Sequence, residues 1–277
     1  CSGQRFLKKK IVNNFKNSSA AATAAAALSW VGHDVCWQPL DRRWSELKDS
    51  DWLIREPSVL QRLTEAMEAG HLTLERNSEA DGPEIDVLWL ALSPTQRDDA
   101  SRLVEENASR LADGAIIVNN ATFPVGDTER LESVLEGQNV TSVALPDTLE
   151  EGRAWETFTR ARSWLLGCDD DHAERQVREL MRAFNRRHEV FKRMPRRAAE
   201  LTKLAINGML ATRISYMNEM AGLADTLGVD VEYVRQGMGA DQRIGYEYLY
   251  PGCGFGGPNF SRDLVGLVDV QSASGRH

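Results

Sequence analysis

The stretch from Ala198 to Asp263 constrains the fold more than any other part of the chain. Ala, Leu, Met, Glu and Lys, which cost a helix least, dominate between Ala198 and Leu227, and only Gly208 and Gly222 interrupt them. Leu201, Leu204, Ala205, Met209, Ile214, Met217, Met220 and Leu223 recur at steps of three and four. That spacing predicts one long helix with a buried apolar stripe, and Pro195 and Gly228 mark its two ends. Lys203 and Asn207 are one helical turn apart and project from one face. Such a pair could polarise a carbonyl or hold an oxyanion, or simply belong to a solvated helix surface.

A glycine-rich run follows. PGCGFGG places four glycines in seven residues, and a backbone without Cβ atoms can come close to a ligand or take positive φ. Arg243 to Gly245 lies before it and Ser261 to Asp263 after it.

The pieces AELTKLAINGMLATRISYMNE, DQRIGYEYLYPGCGFGG and FSRD, in this order, resemble the nucleotide-sugar dehydrogenases of the UDP-glucose/GDP-mannose dehydrogenase family. GHDV (Gly32 to Val35), REP (Arg55 to Pro57) and TFPVGDTERL (Thr122 to Leu131) fall at the intervals expected of that family. The resemblance implies a two-step, NAD-dependent oxidation of a UDP-sugar alcohol to an acid. In the family, a Cys in the motif GGSCFPKD carries the aldehyde intermediate as a thioester. The corresponding run is GGPNFSRD, so Asn259 stands where the nucleophile belongs. A carboxamide offers no thiolate, and the covalent second oxidation is expected to fail. Cys253 belongs to the glycine loop, six residues away, and is not read as a replacement.

The other implied site residues follow motif by motif. Thr122 lies in a run resembling STVPVG, whose Thr helps position a water. LPDTLEEG (Leu145 to Gly152) resembles NPEFLREG, with Glu151 at its second Glu and Asp147 at its first. These carboxylates could do acid–base work, or form a plain acidic loop with Glu150. Lys203, Asn207 and Asp263 keep the family identities, while Arg262 replaces a Lys. Asp263 would assist proton movement or serve an electrostatic or structural role. Asp147, Arg243, Gly254, Phe255 and Gly256 are the residues expected on the substrate side.

The first part of the chain alternates strand-like and helix-like runs, which favours a parallel sheet covered by helices. Strands are expected at Ile11 to Phe15, His33 to Trp37, Ile85 to Leu92, Ala115 to Asn119, Val140 to Leu145, Trp164 to Leu166 and His188 to Phe191. Helices are expected at Ser18 to Val31, Ala100 to Leu111, Thr128 to Glu136 and Ala173 to Phe184. The expected architecture is α/β: a Rossmann-like domain over residues 1–195 with helices on both faces, then a helical domain over 196–277 built on the long helix. A dinucleotide sheet normally runs from its first strand into G-x-G-x-x-G, so that the pyrophosphate meets a helix N-terminus. Counted back from GHDV, the equivalent positions are Lys16, Ser18 and Ala21, in a run (NNFKNSSA) without glycine. Lys16 could supply charge in place of backbone amides. Asp41 is the first acid after the second strand, where a ribose-holding carboxylate belongs. Ser93-Pro94-Thr95 stands where the family shows Gly-Thr-Pro. NAD is thus the cofactor implied by resemblance, with three of its contacts altered.

Composition narrows the partners. The chain has 33 basic and 41 acidic side chains, a net charge of −8, which disfavours nucleic acid. The basic run from Arg182 to Arg197 is either a solvated surface or a phosphate-facing patch. Cys1, Cys36, Cys168 and Cys253 are scattered without metal or disulfide spacing, and a cytoplasmic protein with free thiols is the simplest account. No apolar run approaches the length of a membrane span. The family continues beyond Asp263 into a second nucleotide-binding domain, and only 14 residues remain here. A partner protein could supply the missing wall of the cleft. The long helix is the family's dimerisation core, and a homodimer or an intrachain core would each explain its stripe. The leading expectation is a degenerate relative acting in binding, scaffolding or regulation of sugar-nucleotide or polysaccharide metabolism. The alternative is a working NAD-dependent nucleotide-sugar oxidoreductase, which could stop at the aldehyde.

Overall fold

Burial along Ile85–Leu90 alternates between two cores, as a strand covered on both faces requires. Val87 and Trp89 enter one core with Trp37, Val118 and Leu166, while Leu88 and Leu90 enter the other with Ile117, Leu103 and Leu131. The computed structural model describes residues 9–15, 19–39, 44–74, 84–185, 189–256 and 258–275. Its strands are β1 (Lys10–Phe15), β2 (Asp34–Pro39), β3 (Leu72–Leu74), β4 (Ile85–Leu90), β5 (Leu111–Asn119), β6 (Thr141–Ala144), β7 (Trp164–Gly167) and β8 (Phe191–Met194). They form one eight-stranded sheet in the order β3-β2-β1-β4-β5-β6-β7-β8. All neighbours are parallel except β6 and β7, which meet antiparallel at a single pair, Ala144 opposite Gly167.

The helices are α1 (Ser19–Trp30), α2 (Trp44–Leu47), α3 (Asp51–Ile54), α4 (Pro57–Glu68), α5 (Arg97–Asn107), α6 (Asp127–Ser133), α7 (Ala154–Thr159), α8 (Asp171–Leu180), α9 (Arg196–Leu227), α10 (Val231–Ala240) and α11 (Pro258–Ala273). On one face of the sheet, α1 is buried along nearly its whole length, and its alanines Ala20–Ala22 and Ala24–Ala27 all lie in the core. Side chains this small let a helix be covered on every side by closely approaching neighbours. Phe158 of α7 fills the same layer, edge-on to Trp164 with ring centroids 5.0 Å apart. On the other face α5 and α6 supply Leu103, Val104 and Leu131.

The chain divides into two compact units, residues 1–200 and 201–277. Within the first, α5 begins three residues before its expected start because Ser93 and Gln96 form a reciprocal capping box that launches the turn. β8 lies at Phe191–Met194 rather than His188 to Phe191, its register set by pairing Trp164 with Phe191 and Gly167 with Met194. Residue 188 lies outside the described residues.

Within the second unit the expected stripe on α9 needs correction. Leu204 and Met217 are buried, but Leu201, Ala205, Met209 and Leu223 are exposed. The buried apolar side chains, Leu204, Ala211, Met217 and Ala224, recur at steps near seven, the narrow seam of a helix covered along one line. Leu264 and Leu267 of α11 pack over Gly208 of α9, where an added Cβ would come within 3.3 Å of Leu267 Cδ2.

A buried histidine joins β2 to α8. The Nδ1 atom of His33 accepts from the backbone N–H of Lys9 at 3.3 Å, and its Nε2 lies 3.2 Å from the carbonyl of Leu180. A neutral ring protonated on Nε2 satisfies both. Burial, the largest influence, lowers the pKa of His33 below its ordinary 6.5. The unfolded chain therefore takes up this proton first, and the contribution is lost as pH falls below about 6.5. Urea midpoints at about pH 7.5 and pH 5.5 should differ less in His33→Gln than in the native chain.

Candidate functional site

In the first unit the strand order reverses between β1 and β4, and a doubly wound sheet opens its ligand crevice at such a point, beyond the carboxyl ends of the strands. The amino end of α1 faces that edge and carries no acidic side chain in its first turn. Lys16, Ser18 and Asp41 lie outside the described residues. Ala21 is fully buried in the first turn of α1, so its methyl group packs into the core. Gln38, near the end of β2, is buried, and its Nε2 atom has no hydrogen-bond partner among the described residues. A helix amino end free of negative charge and an amide donor with no acceptor among the described residues are features that a dinucleotide fits.

Thr122 is half-buried in the loop after β5. That loop is held from below by a carboxylate absent from the sequence reading. Glu200, in the second turn of α9, accepts from Gly126 N (2.6 Å), Thr128 N (2.9 Å) and Thr128 Oγ1 (2.6 Å). Asn119 Nδ2 donates to the same hydroxyl at 2.9 Å. Burial pushes the Glu200 carboxyl up from its ordinary range, opposed by these donors. Its place at the amino end of α6 suits a negative group.

The acidic loop is organised differently from its expectation. Asp147 Oδ1 accepts from Leu149 N at 2.7 Å, the geometry of an Asx turn. Glu151 is exposed and pairs with Arg55 at 3.2 Å. The buried acid is Glu56, which accepts from Gly152 N at 2.5 Å and Ala154 N at 3.0 Å and so fixes the loop at the start of α7. Both Arg55 and Glu56 belong to the REP run read in the sequence.

In the second unit Asn207 and Asp263 come together although 56 residues separate them. Asn207 Nδ2 donates to Asp263 Oδ2 at 2.5 Å, and Arg262 Nε donates to Oδ1 at 3.0 Å. Asn207 is 7% and Asp263 2% exposed, so this is a buried charged cluster with both carboxylate oxygens engaged. Lys203, half-buried one turn before Asn207, has no hydrogen bond or ion pair among the described residues.

Arg243 is folded back on Asp241 through two contacts of 3.0 and 2.7 Å. In the glycine loop Gly254 has φ +94°, which explains glycine there, and Gly256 is exposed. Phe255 meets Phe260 of α11 edge to face at 5.7 Å, and Asn218 of α9 accepts from Gly252 N at 2.8 Å. Asn259 is exposed in the first turn of α11.

The basic run is largely neutralised within the first unit. Arg193 pairs with Asp171 and Glu174, Arg196 with Glu132 and Asp169, and Arg197 with Glu129. Residues 186–188 lie outside the described residues. Among the described residues no group of three or more His, Cys, Asp or Glu is placed to hold a metal ion, and no helix is long and apolar enough to cross a membrane.

Removing Asn207 would leave Asp263 buried with one donor lost. Asn207→Ala should therefore lower the unfolding free energy by about 1–3 kcal/mol in urea titration.

Residues 21–185 match the NAD binding domain of the UDP-glucose/GDP-mannose dehydrogenase family, and residues 197–277 match its central domain. The chain is 34% identical over 260 residues to a UDP-glucose 6-dehydrogenase of Pseudomonas aeruginosa, covering 88% of this chain and 57% of that one. A UDP-glucose 6-dehydrogenase of Bacillus subtilis is 30% identical over 258 residues, covering 88% and 58%. The chain thus spans less than two thirds of either relative. The fold superposes on a UDP-glucose dehydrogenase of the archaeon Pyrobaculum islandicum with a TM-score of 0.85, over 100% of this chain and 67% of that one, at 23% identity. The first domain's description supports NAD as the cofactor by family resemblance. Both domains of the family are thus matched in order along the chain, and the chain belongs to the UDP-glucose/GDP-mannose dehydrogenase family.

Proposed function

We propose that this chain is a nucleotide-sugar dehydrogenase homologue that does not complete the oxidation of a sugar alcohol to an acid, and that it serves as a binding, scaffolding or regulatory protein in sugar-nucleotide or polysaccharide metabolism. The observation that carries this reading is the exposed carboxamide of Asn259 at the start of α11, one turn before the buried Asp263. Capture of an aldehyde as a thiohemiacetal needs a thiolate, which a carboxamide does not provide. Cys253 sits six residues earlier in the glycine loop, a separate segment. Asp263 is committed to Asn207 and Arg262, which supports an orienting and electrostatic role rather than proton transfer.

The second reading, a dehydrogenase that stops at the aldehyde, is favoured by Lys203. A half-buried ammonium without a protein partner suits an alkoxide developing as hydride leaves. NAD, when bound, would accept that hydride, and it would be held at the amino end of α1 with Lys16 and Ser18 in place of glycines. UDP-sugar is the substrate class on either reading. Incubation with NAD and UDP-glucose, followed by NADH absorbance, separates the readings. Neither the native chain nor Asn259→Cys should form NADH. One NADH per sugar would favour the second reading, and two per sugar would overturn both.

Met209, Tyr216 and Leu223 are exposed on α9 at steps of seven, which supports association of two copies through this helix. Light scattering of the native chain should give twice the monomer mass, and Tyr216→Glu should halve it.

A further inference from the structure

A cavity of about 370 Å³ opens at the end of α1 remote from the crevice. Its wall includes Trp30, the last residue of α1, with Arg62 of α4, Trp155 and Thr159 of α7, Arg160 and Phe184. The first residue of α1 faces the crevice, so roughly 17 Å of helix separates the two places.

The wall is preformed. The rings of Trp30 and Trp155 meet edge to face with centroids 5.5 Å apart, and the guanidinium of Arg62 lies over both, at 5.7 and 5.6 Å. Glu65 holds Arg62 in this position through a 2.6 Å contact. Trp30 nevertheless remains 54% exposed, leaving a broad indole surface in the cavity. The carboxylate that also lines the cavity, Glu156, is paired with Arg153 at 3.3 Å. Arg160 is exposed, and its guanidinium has no hydrogen bond or ion pair among the described residues. Arg62, Arg153 and Arg182 are each paired with a carboxylate, so the free guanidinium of Arg160 beside an open aromatic surface is a specific combination.

A cavity of this size holds a small organic molecule. Indole and stacked guanidinium both favour a flat ring, and an unpaired guanidinium favours a carboxylate or phosphate. We propose that this cavity is a second small-molecule site, separate from the dinucleotide crevice, which takes a planar ring joined to an anionic group. The ring lies against Trp30 and the Arg62 plane, and the anion rests on Arg160. Nucleoside monophosphates and aryl carboxylates share this chemistry.

Isothermal titration of the intact chain with UMP, AMP, indole-3-acetate and inorganic phosphate tests the site, in the native chain and in Arg160→Gln and Trp30→Ala. Both altered side chains are exposed, and circular dichroism checks that each variant is folded. At least one ring-bearing anion should bind saturably, and inorganic phosphate at least about tenfold more weakly. Both substitutions should raise Kd at least about tenfold. Tighter binding of the nucleotides or of indole-3-acetate tells which source supplies the ligand. The proposal is overturned by no saturable binding of any ring-bearing anion, by phosphate binding equally tightly, or by an affinity that neither variant changes. The last result would place the ligand in the crevice.

Discussion

A carboxylate taken out of water and given three hydrogen bonds is the contact on which the candidate site of the first unit rests. Glu200 satisfies two backbone amides at the amino end of α6 and the hydroxyl of Thr128. Alone, a buried carboxylate would be costly, and the rise of its pKa on burial registers that cost. The donors and the positive end of α6 offset it. The result is that the loop bearing Thr122 and the opening turns of α9 share one anchor. Arg196 adds to it by bridging Glu132 and Asp169, and Arg197 by holding Glu129.

The same economy of charge runs through the candidate residues. Asp147 closes its own turn, Glu151 meets Arg55, Arg243 closes on Asp241, and Asp263 gives both oxygens to Asn207 and Arg262. Lys203 alone of the charged candidates among the described residues stands without a partner. A buried charge without a partner is costly, and Asp263, the most deeply buried of this set, has both oxygens engaged.

Much of the fold was legible where one physical signal dominated. IDVLWLAL reads as a central strand because both of its faces are apolar, and both are buried. The long helix reads from composition and from Pro195 and Gly228 at its ends. Periodicity does not say which apolar side chains find a neighbour, and so the spacing of Met209 and Leu223 predicts burial where both are exposed. α10 has a weak sequence signal because Gly237 and Gly239 lie in it, and Gly239 packs where a Cβ would strike the ring of Tyr246. Residue spacing could not join Asn207 to Asp263, or Glu56 to Gly152, since each pair is distant in sequence. For Glu56 a signal existed in the REP run. For Glu200 there was none beyond an acid in a helix.

Gly167 ends β7 at the sole pairing between β6 and β7. A methyl group there would sit 2.8 Å from the Cβ of Ala199, 2.9 Å from that of Ala144 and 2.9 Å from the Cα of Arg196. Backbone stands on one side and close-packed alanines on the others, so none can yield cheaply. The smallest side chain would act as a wedge, prising the terminal two-stranded ribbon from the six strands before it. The continuity of the sheet is thus a matter of one missing carbon atom.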